Sequence, residues 1–435
     1  MLGFLFSRER KTRASASNWL ELSDKVWNFR RDVLAPSEAS ELRRRHDELR
    51  RELAERADAG RLKLGIDALE DVLRRTGGAV YPKTSLTENV EFFLVAAIMI
   101  LGVRTYFVQP FKIPTNSMWP TYYGMTGEIF PPGTTAPGPL AQAARWVLFG
   151  AQRKEVLAPR SGQVSALFRF GRLAYTTRSD RSWLIFPSQV REYTFYVDGV
   201  PATIRVPLDF SDIDKIVQAT YFGTDPNAFP SYLAGLASAG RIEETWLKQD
   251  ENADGLVSVE LVPLNRTVKV GDPLLRFDLM TGDQLFVDRF SYNFFRPKPG
   301  QGFVFRTGNI PAIAEMSGDQ YYIKRLVGTP GDAIEIREPV LYRNGSPITG
   351  SVAFDLNARR VPPYGGYLNE EIKDGARYLG RGQVLNVPAD RFLALGDNSG
   401  NSEDGRYWGF VPAKEVIGRP LFIYYPFTRR WGFAK

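Results

Sequence analysis

Apolar positions recur along this chain in three ways, and each predicts a different element. In residues 15–35, Leu20, Val26, Trp27 and Val33-Leu34 return at helical spacing, and in residues 38–59 Leu42, Leu49 and Leu53 do the same. Two helices are expected, broken at Pro36-Ser37, with Ser37 or Ser40 as the N-cap of the second. Their charged faces suit docking on a membrane, pairing as a hairpin, or a solvated arm. Further on, Phe92 to Val103 is uninterrupted apolar sequence, which Thr105-Tyr106-Phe107-Val108 extends to bilayer length. Arg104 interrupts the run near one end, where a long side chain can snorkel to the interface. Alternation at period two appears in Glu192 to Val197 and in Val200 to Val206, which Asp198-Gly199 joins as a hairpin turn. Helical pieces are expected at 211–221 and 226–249, and an amphipathic helix at Leu140–Lys154 with Trp146, Leu148 and Phe149 on its apolar side.

Composition narrows what such a chain can do. Its 435 residues are enough for two or three domains, and 43% hydrophobic residues can fill a sizeable core. Having no cysteine, it cannot form disulfides, thiolate nucleophiles or zinc-thiolate sites. The single histidine, His46, sits in the charged run Glu41–Glu48, which reads as a solvated helix face. A Ser-His-Asp triad and a histidine metal site are therefore disfavoured, and any base must be a carboxylate, lysine or tyrosine. The net charge of +7 comes without a zinc finger, helix-turn-helix or RNA-binding signature, so lipid proximity is preferred and no nucleic-acid partner is implied. Arg74, Arg75 and Lys83 bias the N-terminus to the cytoplasmic side. The apolar run begins too far along the chain for a cleaved leader. Asp250, Asn252, Asp254 and Gly255 imitate the start of a calcium loop, but Leu261 stands where its bidentate acid belongs.

Candidate chemistry starts just beyond the apolar run, at Pro114-Thr115-Asn116-Ser117-Met118-Trp119-Pro120. Tyr322-Ile323-Lys324-Arg325 follows far downstream, then Gly396-Asp397-Asn398 through Ser402, Asp404 and Arg406. A serine near a membrane, a distant lysine and no usable histidine suggest acyl transfer by a Ser/Lys dyad. A serine hydroxyl needs a base, and a solvated lysine, titrating near about 10.4, is a poor one. Burial disfavours the ammonium form, and the flanking Leu326-Val327 suits a half-buried strand that could supply it.

Four segments in this order resemble the type I signal peptidases, the leader peptidases of the serine/lysine-dyad family S26. They are Pro114 to Thr121, Gly282-Asp283 to Tyr292, Tyr322 to Asp332, and Gly396 to Pro412. The resemblance implies a mainly β catalytic domain of the signal-peptidase-like antiparallel fold, with an N-terminal helical arm, one transmembrane helix and large inserted α+β regions. It divides the chain into a cytoplasmic arm (1–88), the transmembrane helix (89–109), and three catalytic pieces (110–123, 282–333, 383–435). An accessory domain (124–281) and a second insertion (334–382) separate those pieces. It casts Ser117 as nucleophile and Lys324 as base. Thr115, with the Ser117 N–H, would bind the oxyanion, and Ser402, Asp404 and Arg406 would support the lysine. Met118, Phe286, Val287 and Ile323 would line the substrate pockets. Ser399-Gly400 and Gly405 depart from the commoner Arg-Asp and serine.

The implied substrates are signal peptides of exported preproteins with small residues before the cut, and the secretion translocase is a possible neighbour. No cofactor is implied. The implied location is the bacterial cytoplasmic (inner) membrane, single-pass, with the catalytic domain on the outer (periplasmic) face. Two rivals share these residues: a membrane scaffold with an idle dyad, and a Ser/Lys self-cleaving regulator, which would need a DNA-binding helix pair. Ala158 to Val164 and Val268 to Asp272 also weakly resemble the barrel repeats of lipoyl-like domains.

Overall fold

A computed structural model describes all residues except 1, 132, 183–185, 253, 370–376 and 435. Pro132 of the proline-glycine linker and parts of the segments 124–281 and 334–382 therefore lie outside the described residues. The chain forms two compact units, Met1–Leu101 and Gly102–Lys435.

In the first unit, helices α1 (Leu2–Arg30), α2 (Pro36–Ala54) and α3 (Ala59–Thr76) close on one another. Val26, Leu42, Leu49, Leu62, Leu69 and Leu73 form their shared core. Helix α2 begins ahead of the expected serines. Pro36, with its fixed φ and no N–H to satisfy, takes the first helical position behind Ala35, and Glu38 accepts a hydrogen bond from the Ala35 N–H. Ser40 instead bonds back to the Pro36 carbonyl at 2.8 Å. His46 is not on a solvated face: it is 4% exposed, inside the bundle. Helix α3 was absent from the sequence expectations, although Asp58 caps it through the Gly60 and Arg61 N–H groups. Helix α4 (Ser85–Tyr106) is long and apolar enough to cross a membrane, and none of its residues is buried.

The second unit is mainly β. Its central sheet is wholly antiparallel and runs, in order, Val108–Lys112, Gln284–Asp288, Val416–Tyr425, Gly302–Arg306, Tyr321–Gly328, Arg391–Leu395 and Val411–Pro412. Its inner faces carry Leu285, Val287, Val304 and Ile423 in one cluster and Phe303, Phe305, Leu326 and Val411 in another. Two further bodies grow from it on different terms. Residues from Met125 to Leu279 enclose a core of their own, with Phe210 and Phe277 stacked at 5.9 Å. The four-stranded sheet built on Ala333–Arg337 instead shares its core with Val327, Leu393 and Leu395 of the central sheet. The expected hairpin forms between Phe186–Val197 and Val200–Pro207, with Asp198 and Gly199 at φ of 43° and 80°. The two lipoyl-like segments lie side by side, exchanging hydrogen bonds between Ala158 and Gly271-Asp272.

Two expected helices are shorter than their periodicity suggested. Pro139–Phe149 stops at Gly150, whose φ of 63° makes a left-handed cap, and the chain continues as the strand Gln152–Leu157. Ala228–Ser238 gives way to the strand Glu243–Lys248. The first of these helices also turns inside out. Arg145 faces the buried Asp278, while Leu140, Trp146 and Val147 are exposed.

The large body is rooted at one crossing. Asp283 N–H donates to the Tyr123 carbonyl and Ile113 N–H to the Asp283 carbonyl, each at 2.8 Å. The Asp283 carboxylate accepts from Tyr123 N–H at 2.9 Å and from the Arg430 guanidinium. Between these strands a side chain at Gly282 would meet the Ile113 oxygen at 1.8 Å. Gly282→Ala is expected to destabilise the protein by roughly 1–3 kcal/mol through forced overpacking, seen as a lower urea midpoint; an unchanged midpoint would mean that this crossing is looser than described.

Candidate active site

Each site residue is delivered by a different element. Ser117 lies in the turn after Val108–Lys112, Lys324 in the strand Tyr321–Gly328 opposite Phe303, Ser402 and Asp404 in the loop after Arg391–Leu395, and Arg406 in the short helix Gly405–Trp408 that Asp404 caps. That turn is held by side chain to backbone contacts. Asn116 donates to the Met125 carbonyl at 3.0 Å and accepts from Gly124 N–H at 2.9 Å.

The loop meets the turn at Gly396. Asn398 donates its backbone N–H to the Ser117 carbonyl at 3.1 Å and its amide to the Asn116 carbonyl at 3.0 Å. A Cβ on Gly396 would lie 2.5 Å from the Ser117 oxygen and 2.2 Å from the Ser402 Oγ. On the other side, Lys324 Nζ donates to Ser402 Oγ at 3.1 Å. Ser117 and Ser402 therefore converge on one glycine, with Lys324 bonded to Ser402, and all three are buried, Lys324 to 4% exposure.

Charge is balanced around this centre by buried pairs. Arg406 grips Asp404 with two bonds of 2.8 and 2.9 Å and also donates to the Ser399 and Ser402 carbonyls. Burial pushes the Asp404 carboxyl up. Arg406, and after it Lys324 and the Gly396 N–H, more than offset this and hold it below the usual carboxylate range. Arg325, beside Lys324, pairs with the buried Asp397, which also accepts the Thr121 hydroxyl at 2.5 Å. Sequence reasoning gave Asn116, Asn398 and the Arg325–Asp397–Thr121 group no role. Their signal was their place inside the quoted segments, with Asn116 and Arg325 directly beside Ser117 and Lys324.

The supporting and pocket residues divide further. Thr115 is exposed, and its backbone packs against Gly124. Met118 and Val287 have no exposed surface and belong to the core, so they cannot themselves wall a pocket. Phe286 and Ile323 are half-buried and keep surface to offer. Ser399 fits its unusual place: its hydroxyl accepts from Arg406 Nη1 at 2.9 Å and from Leu368 N–H at 3.0 Å.

With this geometry in place, the comparison with known proteins is specific. The family described as "Signal peptidase, peptidase S26" matches residues 274–425. Over that stretch the chain is similar to the peptidase S26 signal peptidases. The matched stretch contains Lys324, Ser402, Asp404 and Arg406, while Thr115 and Ser117 precede it, and Ser117 meets it at Gly396 and Asn398.

Among its relatives, "Probable signal peptidase I-1" of Synechocystis sp. is 29% identical over 35% of this chain and 67% of its own length. "Signal peptidase I" of Leptolyngbya laminosa is 31% identical over 35% of this chain and 64% of its own. The chain thus spans about two thirds of the length of these relatives. A relative at 26% identity, from Staphylococcus aureus, bears the name "Inactive signal peptidase IA". The crystal structure of a signal peptidase I from Enterococcus faecalis V583 aligns with 28% of this chain and 97% of its own at 28% identity, with a TM-score of 0.21.

Gly396→Ala is expected to abolish activity, because neither the Ser117 backbone nor Ser402 can clear a methyl group; turnover within a few-fold of wild type would contradict the convergence. A second expectation concerns Asp332, at the end of the lysine segment. Burial pushes its carboxyl up, but bonds from Arg343, Thr329 and Asn344 outweigh this and hold it at about 2. A depressed carboxyl stabilises the fold above its unfolded value, near about 3.9, and loses that contribution as pH falls through the folded one. The stability gap between wild type and Asp332→Asn, measured by denaturant, should be full above pH ~4 and close toward pH ~2.

Proposed function

We propose that this chain is a membrane-bound serine endopeptidase that removes signal peptides from exported preproteins. The observation that carries the reading is the buried Lys324 amine, hydrogen-bonded to the Ser402 hydroxyl, which with the Ser117 carbonyl crowds Gly396. In the reaction, neutral Lys324 takes the proton of the Ser117 hydroxyl as its oxygen attacks the scissile carbonyl. The Ser117 N–H and the Thr115 hydroxyl receive the developing oxyanion. Lys324 then passes the proton to the leaving amine, and the acyl-enzyme forms. A water deprotonated by the same amine attacks the ester and frees Ser117.

The surroundings serve this role in two ways. Burial makes an ammonium costly. The Asp404 carboxylate would favour the ammonium, and its bidentate pairing with Arg406 draws that charge away from the amine.

Helix α4 is read as the membrane span, with the N-terminal unit in the cytoplasm and the catalytic sheet on the outer face of the inner membrane. The exposed Trp146 and Trp431 suit a site held near the lipid surface, where a signal peptide emerges. Phe286 and Ile323 are the pocket residues that remain. Segments 124–281 and 334–382 are read as accessory to the catalytic pieces, on the same aqueous side. A scaffold without activity has relatives bearing the name "inactive" to support it; the complete set Ser117, Lys324, Ser402 and Asp404 favours the enzyme.

Cleavage of a preprotein by the detergent-solubilised full chain tests the proposal across pH 6 to 10. Activity should rise with pH as the amine becomes neutral, and Ser117→Ala and Lys324→Ala should each lower it by about a thousandfold or more. Full activity in either variant, or a folded wild type that cuts nothing, would overturn the reading.

A further inference from the structure

The segment Asn357–Asn369 reaches back from the sheet built on Ala333–Arg337 to the loop that carries Ser402. Leu368 makes both backbone contacts: its N–H donates to Ser399 Oγ at 3.0 Å, and its carbonyl accepts from Arg406 Nη1 at 3.0 Å. The same Nη1 donates to Ser399 Oγ at 2.9 Å, closing a three-membered ring of contacts among Leu368, Ser399 and Arg406. Nearby, Asn357 donates to the Asp397 carbonyl at 3.3 Å and accepts from Gly366 N–H at 3.0 Å. Tyr364 shares a hydrogen bond of 3.3 Å with the Thr121 hydroxyl. Three residues of this one segment thus touch the loop after Leu395 or the turn that carries Ser117.

We infer that Ser399, clamped between Leu368 and Arg406, is a positioning residue that sets the Ser402 hydroxyl against the Lys324 amine. The transmission is short and fully described. Arg406 donates to the Ser402 carbonyl at 3.2 Å and holds Asp404, whose carboxylate fixes Gly396 N–H at 2.9 Å. Gly396 in turn abuts Ser402 Oγ. Without the Ser399 hydroxyl, Leu368 N–H loses its acceptor and Arg406 loses one of its five bonded partners (Asp404, Leu368, Ser399 Oγ, Ser399 O and Ser402 O). The loop then has freedom on the scale of an ångström, which is enough to cost an active site one to two orders of magnitude. Water entering beside the amine would also solvate the ammonium form and make it harder to discharge. Among the described residues, titratable groups in those surroundings include Asp404 and Arg406, which is paired to it, and Tyr322 from the lysine strand, its ring centroid 5.9 Å from Nζ. All three are retained in the variants below.

The inference rests on the Ser/Lys reading, and its test separates the two. Preprotein cleavage by the full chain would be followed from pH 6 to 10 for wild type, Ser399→Ala, Ser399→Thr and Lys324→Ala, with thermal unfolding of each. Ser399→Ala should lose about tenfold in kcat with little change in KM. Its activity limb should move to higher pH by about half a unit or more, and Ser399→Thr, keeping the hydroxyl, should restore both. If Lys324→Ala is inactive while Ser399→Ala keeps the wild-type kcat and limb, the positioning role is wrong and the dyad stands. A kcat loss without movement of the limb would reduce Ser399 to a structural part and equally overturn the inference. An active Lys324→Ala would remove the dyad itself, and the inference with it.

Discussion

Gly396 is the point at which three separate parts of the chain are brought within bonding reach. The Ser117 carbonyl and the Ser402 hydroxyl both crowd the space that a side chain on Gly396 would take, each closer than a methyl group would allow. Lys324 completes the arrangement from behind Ser402. No long-range attraction sets this spacing. It follows from steric contact, a close approach that is available only where there is no Cβ. The antiparallel pairing of the lysine strand with Arg391–Leu395 supplies the leverage, since it fixes where the chain re-emerges as Gly396.

Around that contact the protein places arginine–carboxylate pairs in the interior. Arg325 with Asp397 and Arg430 with Asp283 each tie a loop to a neighbouring element, and Arg406 with Asp404 braces one loop from within. Burying such pairs is not a cheap source of stability, because desolvation consumes most of the Coulombic gain. What they provide is geometry: a guanidinium offers donors in a rigid fork, so a loop that satisfies all of them has one arrangement. Arg406 uses that property most fully, reaching one carboxylate, one hydroxyl and three carbonyls.

Local signals in the sequence were reliable where the structure they specify is local. Asp198-Gly199 took the positive φ angles that its hairpin requires, and the apolar run at 92–108 is helical as far as Tyr106, in the one helix among the described residues long and apolar enough to cross a membrane. Errors arose where two periods overlap. The stretch 226–249 holds both a helix and, beyond Gly240 at φ 62°, a strand whose Thr245-Trp246-Leu247 also suits helical counting. His46 was misjudged because its charged neighbours concealed that residues 42, 46 and 49 share one buried face. Within the site, the motif residues were visible as types in order. The role of Leu368 was not, because it acts through its backbone, and neither was the burial of Met118 and Val287, which depends on distant strands. Nothing in a serine at position 399 announces that its oxygen meets both Leu368 and Arg406.

The central claim is that Lys324 activates Ser117, and labelling by a fluorophosphonate tests it without any choice of substrate. Such a reagent reacts with a serine oxygen only when a base has made it nucleophilic, and peptide mass mapping of the full chain locates the adduct. The account predicts phosphonylation at Ser117 alone, faster as pH rises from 7 to 10, and absent from Lys324→Ala. Labelling of Ser117 at the wild-type rate in Lys324→Ala, or an adduct on another serine, would contradict it.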